Sequence, residues 1–102
     1  MIHVLAVIEL HPECRSGFLT EFRKIIGPVR AEKGCIEYGP AVDLDSGIAS
    51  QQAPRENTVT IIEKWESLED LKAHLVAPHM VAYRPKVKDY VASSKLYVLE
   101  PT

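Results

Sequence analysis

Residues Ile2 to Leu10, IHVLAVIEL, constrain the fold more than any other stretch. Ile2, Val4, Ala6, Ile8 and Leu10 share one parity, and Leu5 and Val7 share the other. An edge or half-exposed strand carries polar residues on its second face. This strand is apolar on both, so it is expected in the middle of a sheet, covered on both sides. At 102 residues the chain is expected to form one domain, residues 1–102. A chain of that size buries only around two thirds of the surface it exposes unfolded.

The remaining elements follow from periodicity. Phe18, Phe22, Ile25, Ile26 and Val29 make a helical stripe within Cys14 to Lys33. Gly27-Pro28 predicts a kink or restarted turn near its end, because Pro28 removes a backbone donor. Gly34 is placed to take a left-handed backbone after it. Cys35 to Leu44 reads as a strand with Ile36, Tyr38, Val42 and Leu44 on one parity. Asp43 to Asn57 is polar and long for a hairpin connection, so either the strands extend into it or it is a lid-like loop. Thr58 to Glu66 is a strand with Val59, Ile61, Glu63 and Trp65 on one face.

A helix then starts at Ser67, with Asp70 at a capping-box spacing. Leu68, Leu71, His74 and Leu75 form its buried stripe, so an imidazole stands in line with leucines. Pro78 stops the helix. Met80 to Ala92 reads as a short helical segment broken by Pro85, and Lys95 to Glu100 as the last strand.

The order β-α-β-β-α-β is the ferredoxin-like plan, an α+β fold with one antiparallel sheet. Its main helices cover one face only. The other face, apolar at the first and last strands, needs a cover, since a bare apolar sheet is unusual in a soluble monomer. A two-fold homodimer is the simplest one.

Composition excludes several function classes. A net charge of -2 with no basic block argues against nucleic acid. No run approaches the roughly 18 apolar residues of a membrane span. The N-terminus lacks a basic leader and reads as a strand, not a signal peptide. Cys14 and Cys35 form no CxxC and no disulfide framework. A reduced, cytoplasmic, soluble protein is expected. His74 and His79 are not at the i, i+4 spacing of a helical zinc pair. His3, His11 and the cysteines show no ligand spacing, so no metal is expected. A Gly-rich phosphate loop is absent, and with it the support for a nucleotide cofactor.

The residue types around the second helix suit aromatic chemistry. His74 can act as a general base, or be a core imidazole satisfied by a carbonyl or carboxylate. Glu63 can point inward to orient His74 or act as base itself; it can equally be a strand-end surface glutamate. Tyr38 and Trp65 each join an apolar body to one polar tip, which suits a stacked aromatic substrate, although packing accounts for Trp65 as well. His79, Met80 and Tyr83 can form an adaptable rim, or Pro78-His79 can simply set a turn. Phe18 and Phe22 read as core, with Phe22 able to line a cavity. Glu32 reads as a helix-end cap or pairing residue, not a catalytic one.

Two runs, RAEKGCIEY (Arg30 to Tyr38) and IEKWESLEDLKAHLVAPHM (Ile62 to Met80), resemble signatures of the antibiotic biosynthesis monooxygenase superfamily. The likeness is strongest to the bacterial quinol monooxygenases. It takes in GPAVD (Gly39 to Asp43), the long glutamine-containing connection and the final LEP. The resemblance implies a dimeric α+β barrel, sheet against sheet, and oxygenation without metal, haem or flavin. It implies that His74 faces the cavity, and a substrate that is a hydroquinone or polycyclic phenol oxidised by molecular oxygen. Haem-degrading relatives carry an asparagine on the first strand, which Ile2 to Leu10 lacks. Relatives processing small phosphorylated signalling molecules need a cationic cluster, and the helix offers only Lys72. A non-catalytic ligand-binding or stress-response dimer of the same fold is the alternative from another class. It needs only the apolar cavity.

Overall fold

The computed structural model describes residues 1–102. The elements are β1 (Ile2–Leu10), α1 (Arg15–Arg30), β2 (Cys35–Ala41), β3 (Thr58–Trp65), α2 (Leu68–Leu75), α3 (Pro78–Val87) and β4 (Val91–Leu99). The four strands form one antiparallel sheet in the order β2-β3-β1-β4. This is the ferredoxin-like architecture, with an extra helix between β3 and β4. The two-faced strand β1 is central, hydrogen-bonded to β3 and β4.

The helices cover one face. Val4, Val59, Ile61 and Trp65 from the sheet meet Phe18, Phe22 and Val29 of α1 and Leu71 of α2 in a buried core. β3 keeps its predicted parity, with Val59, Ile61, Glu63 and Trp65 all buried. Along α2 the buried stripe is narrower than expected. Leu71 and His74 are buried, whereas Leu68 and Leu75 are exposed at the helix flanks. Ser67 caps α2, its hydroxyl accepting from the Asp70 backbone N–H at 3.1 Å.

Three other expectations are corrected. The strand β2 stops at Ala41, and a bulge between Cys35 and Glu37 breaks its alternation. The extra residue turns Ile36 out to solvent while Tyr38 stays buried. α1 runs through Gly27-Pro28 to Arg30. α3 begins at Pro78 and continues past Pro85. Pro78 both ends one helix and opens the next, because a first-turn proline forfeits a donor that has no partner there anyway. Pro85 and Val81 are exposed, so water can reach the carbonyl that Pro85 leaves unpaired.

Gly34 has φ +81°, and a Cβ there would collide with the Asp70 carboxylate. Only glycine can make this turn, which brings its carbonyl to the Glu66 N–H at 2.8 Å. The 43–57 connection is irregular, neither strand extending into it. Asp43 holds its far end by accepting from the Arg55 backbone N–H at 2.8 Å and from its guanidinium at 2.8 and 3.0 Å. The same hydrogen bonds pull the Asp43 carboxyl down to about 2.

The face opposite the helices stays apolar and open. Ile62, Tyr97 and Leu99 are exposed on it, and Leu5 lies between Ile62 and Tyr97 in register. Edge strand β4 also exposes Leu96 and Val98 on its other face. No helix is long and apolar enough to cross a membrane.

Candidate active site

Buried His74 of α2 and buried Glu63 of β3 face one another across the core. His74 has its aliphatic neighbours' place on the helix but sits against Trp65, ring centres 4.7 Å apart, and edge-on to Tyr38 at 5.4 Å. Phe22 stacks on Tyr38 at 5.4 Å and meets Tyr83 edge-on at 6.1 Å. His74 is 2 % exposed.

A cavity of about 170 Å³ opens beside these rings. Phe22, Tyr38, Ile61, Glu63, His74, Met80 and Tyr83 line it, and exposed Leu75, Arg84 and Leu96 stand at its border. Of the residues expected at a substrate site, Tyr38, Phe22, Met80 and Tyr83 are therefore brought together with His74 and Glu63. Trp65 and His79 are not among the lining residues. The indole lies behind His74, fully buried, and His79 lines a separate surface depression with Glu21, Lys24 and Lys86. A larger open groove of about 660 Å³, between α3 and the start of β4, has only Arg84 and Lys88 as charged groups. No carboxylate or imidazole lines it.

Glu63 does point inward, but its hydrogen bond goes to Trp65, whose Nε1–H donates to Oε1 at 2.9 Å. The same Oε1 is 3.9 Å from His74 Nε2, too far for a hydrogen bond. The residue that orients His74 is instead Glu32. Its Oε2 is 2.9 Å from His74 Nδ1 and 2.7 Å from His79 Nε2. Glu32 was expected only to cap or pair near the helix end. It lies just beyond α1, while His79 opens α3, so two helix ends converge on His74 from far along the chain. With Nδ1 donating to Glu32, His74 carries its lone pair on Nε2, towards Glu63 and the cavity.

Glu32, His74 and His79 also form a mixed donor cluster, their ligand atoms within 4.8 Å of one another. Sequence spacing gave no hint of it, because the carboxylate comes from another element. These are the residues that could hold a metal. Ligands of one tetrahedral ion stand about 3.3 Å apart; the two contacts to Oε2, at 2.7 and 2.9 Å, are hydrogen-bond lengths.

Burial raises the Glu63 carboxyl above its ordinary value, while the Trp65 hydrogen bond and His74 oppose the shift. Burial likewise raises the Tyr38 and Tyr83 phenols, so both stay neutral donors near neutral pH. For Glu63 the folded state binds the proton more tightly than the unfolded chain. Stability is therefore highest below the unfolded value and falls as pH rises through the folded one. Glu63→Gln keeps an acceptor for the indole and loses the charge. It is expected to match the parent in urea denaturation at pH 4 and to exceed it at pH 8; a constant difference between the two pH values would exclude this account.

With this geometry in place, the family model described as antibiotic biosynthesis monooxygenase matches residues 1–86. The Escherichia coli protein named probable quinol monooxygenase YgiN is 39% identical over 103 residues, covering 99% of this chain and 98% of that protein. Among solved structures, a conserved protein from Methanosarcina mazei superposes with a TM-score of 0.85 at 20% identity. That match covers 99% of this chain and 92% of the other. Rv0793 from Mycobacterium tuberculosis gives a TM-score of 0.80 at 25% identity, over 99% and 94% of the two chains.

Proposed function

The chain belongs to the antibiotic biosynthesis monooxygenase family, and from that premise we propose that it oxidises a small hydroquinone with molecular oxygen, using His74 as the base. The observation that carries this reading is a buried imidazole held by a carboxylate on Nδ1, its other nitrogen directed to an apolar cavity. The monooxygenase-type activity follows the family and the name of the E. coli relative. The site's geometry supports the substrate class and mechanism proposed.

A neutral hydroquinone is a poor electron donor to oxygen; its anion is a good one. His74 Nε2 takes a hydroxyl proton, and Glu32 stabilises the imidazolium that results. Glu63 lies on the same side and supports the charge at longer range. The electron-rich ring then reduces oxygen. Either it gives two electrons, leaving the quinone and hydrogen peroxide that carries both hydroxyl protons, or it gives four, one oxygen atom entering the ring as a hydroxyl and the other leaving as water, so that the product is a hydroxyquinone. Phe22, Tyr38 and Met80 supply an apolar wall that keeps bulk water from the anion.

The cavity volume refines the substrate class. At about 170 Å³ it falls below the roughly 300–1,000 Å³ of pockets for drug-sized ligands. That supports a one- or two-ring quinol over a larger polycyclic phenol, and a reaction without haem or flavin. The apolar open sheet face supports a homodimer, with Ile62, Tyr97 and Leu99 buried between two copies.

The test is a quinol incubated with protein under nitrogen and then in air. The expected result is no oxidation under nitrogen and, in air, oxidation faster than without protein. Equal rates with and without protein overturn the proposal.

A further inference from the structure

We propose that His79 is the solvent end of a proton path that runs from the cavity through His74 and Glu32. The inference rests on the reading of His74 as the base, and it adds two residues to that reaction which do not touch the cavity.

If Glu32 served only to fix the His74 ring, one hydrogen bond would suffice. Its Oε2 instead meets a second imidazole, at 2.7 Å, and that ring is 27 % exposed at the surface. The first imidazole is 2 % exposed. The two rings are thus a buried end and a wet end joined by one carboxylate oxygen. On the cavity side, Phe22, Ile61 and Met80 are buried and apolar, and the polar groups are Glu63 and the Tyr38 and Tyr83 phenols. With quinol in the cavity its mouth at Leu75, Arg84 and Leu96 is filled, and the Glu32–His79 side is the route to water that stays open.

The transfer balances in three moves, and no electron changes hands. His74 gains a proton at Nε2 and passes its Nδ1 proton to Glu32 Oε2. The carboxyl passes a proton to His79 Nε2, on the tautomer whose Nε2 is free. His79 releases its Nδ1 proton to solvent. Both heavy-atom gaps are already of hydrogen-bond length, so no side chain must move. The path runs both ways, since reduced oxygen must gain protons before product leaves. The groups around it are Glu63 of β3 and Tyr38 of β2 at the cavity end. Glu21 and Lys24 of α1 with Tyr83 and Lys86 of α3 surround the surface end. Lys24 is paired with Glu21 at 3.2 Å.

The test needs no substrate. In full-length protein with ¹⁵N-labelled histidine, NMR measures exchange of the His74 Nδ1 proton with water. His79→Phe fills the same space without a transferable proton, and Glu32→Gln keeps a polar group that cannot relay one. Both are expected to slow the exchange by about 10-fold or more, with the backbone spectrum otherwise unchanged. A purely structural role for His79 leaves the exchange rate alone, so unchanged exchange in His79→Phe overturns the proposal. If the parent protein oxidises quinol, His79→Phe is also expected to lower kcat by about 10-fold at constant KM. Failure of the parent to turn over quinol removes the function proposed above, and the exchange measurement still decides the path.

Discussion

His74→Ala is expected to slow oxygen-dependent quinol turnover by about 100- to 1,000-fold and to leave the sedimentation coefficient unchanged. The imidazole is held by Glu32 at Nδ1, which leaves Nε2 as the free nitrogen on the Glu63 side. Glu63 faces the same cavity, but its Oε1 accepts from Trp65 and lies 3.9 Å from His74 Nε2, beyond hydrogen-bond reach. Glu32 is not left stranded by the substitution, because its Oε2 keeps the His79 imidazole at 2.7 Å. The loss of activity is therefore separable from unfolding. His74→Gln provides the second arm, since its amide can still donate to Glu32 while offering no comparable base. Both variants should still bind an oxidised quinone. Turnover within about twofold of the parent in both variants would move the chemistry away from His74 and favour a binding protein with the same cavity.

Much of the scaffold was written in local pattern. The two parities of Ile2 to Leu10 placed β1 at the centre of the sheet, and it is there. The Phe18, Phe22, Ile25, Val29 stripe gave α1 its buried face. The failures have a common physical origin, in that one residue's backbone can be rescued by a neighbour the local pattern does not show. Alternation put Ile36 on one parity with Tyr38, and one bulge residue separated them. Pro85 was read as a break, yet the carbonyl it orphans lies on a solvent-facing turn. Leu68 and Leu75 belonged to the helical stripe but are exposed at its flanks.

The site was less legible than the scaffold. Strand parity placed Glu63 inward, and helical spacing placed His74 on the buried face; both hold. The two stand 3.9 Å apart, an ion-pair distance, while each makes its hydrogen bond with another partner. Glu63 chose the indole two residues away, a contact set by the strand itself. Glu32 reached His74 across 42 positions, a distance no periodicity encodes. The signal for it was nonetheless present. Glu32 sits between a helix end and the turn glycine Gly34, and His79 directly follows the proline that opens a helix. Polar residues at helix ends are free to face a neighbour, where mid-helix residues are bound to their stripe.

Trp65→Ala is expected to destabilise the protein by about 3–5 kcal/mol, measured by urea denaturation. The indole is fully buried and supports His74 from behind, so its removal takes away packing on the ring that does the chemistry. Part of the loss is polar. Trp65 Nε1–H is the hydrogen bond that opposes the burial-driven rise of Glu63. Trp65→Phe isolates that part. It keeps most of the aromatic volume and removes the donor, leaving a buried acceptor at a cost of about 1–3 kcal/mol. Without the donor, folded Glu63 holds its proton still more tightly, while the unfolded chain is unchanged. The folded state then binds the extra proton over a wider pH range, and stability falls further as pH rises. Trp65→Phe should therefore lose more stability at pH 8 than at pH 4. An equal loss at both pH values would mean that the indole contributes by volume alone, and that Glu63 is held by something other than its strand neighbour.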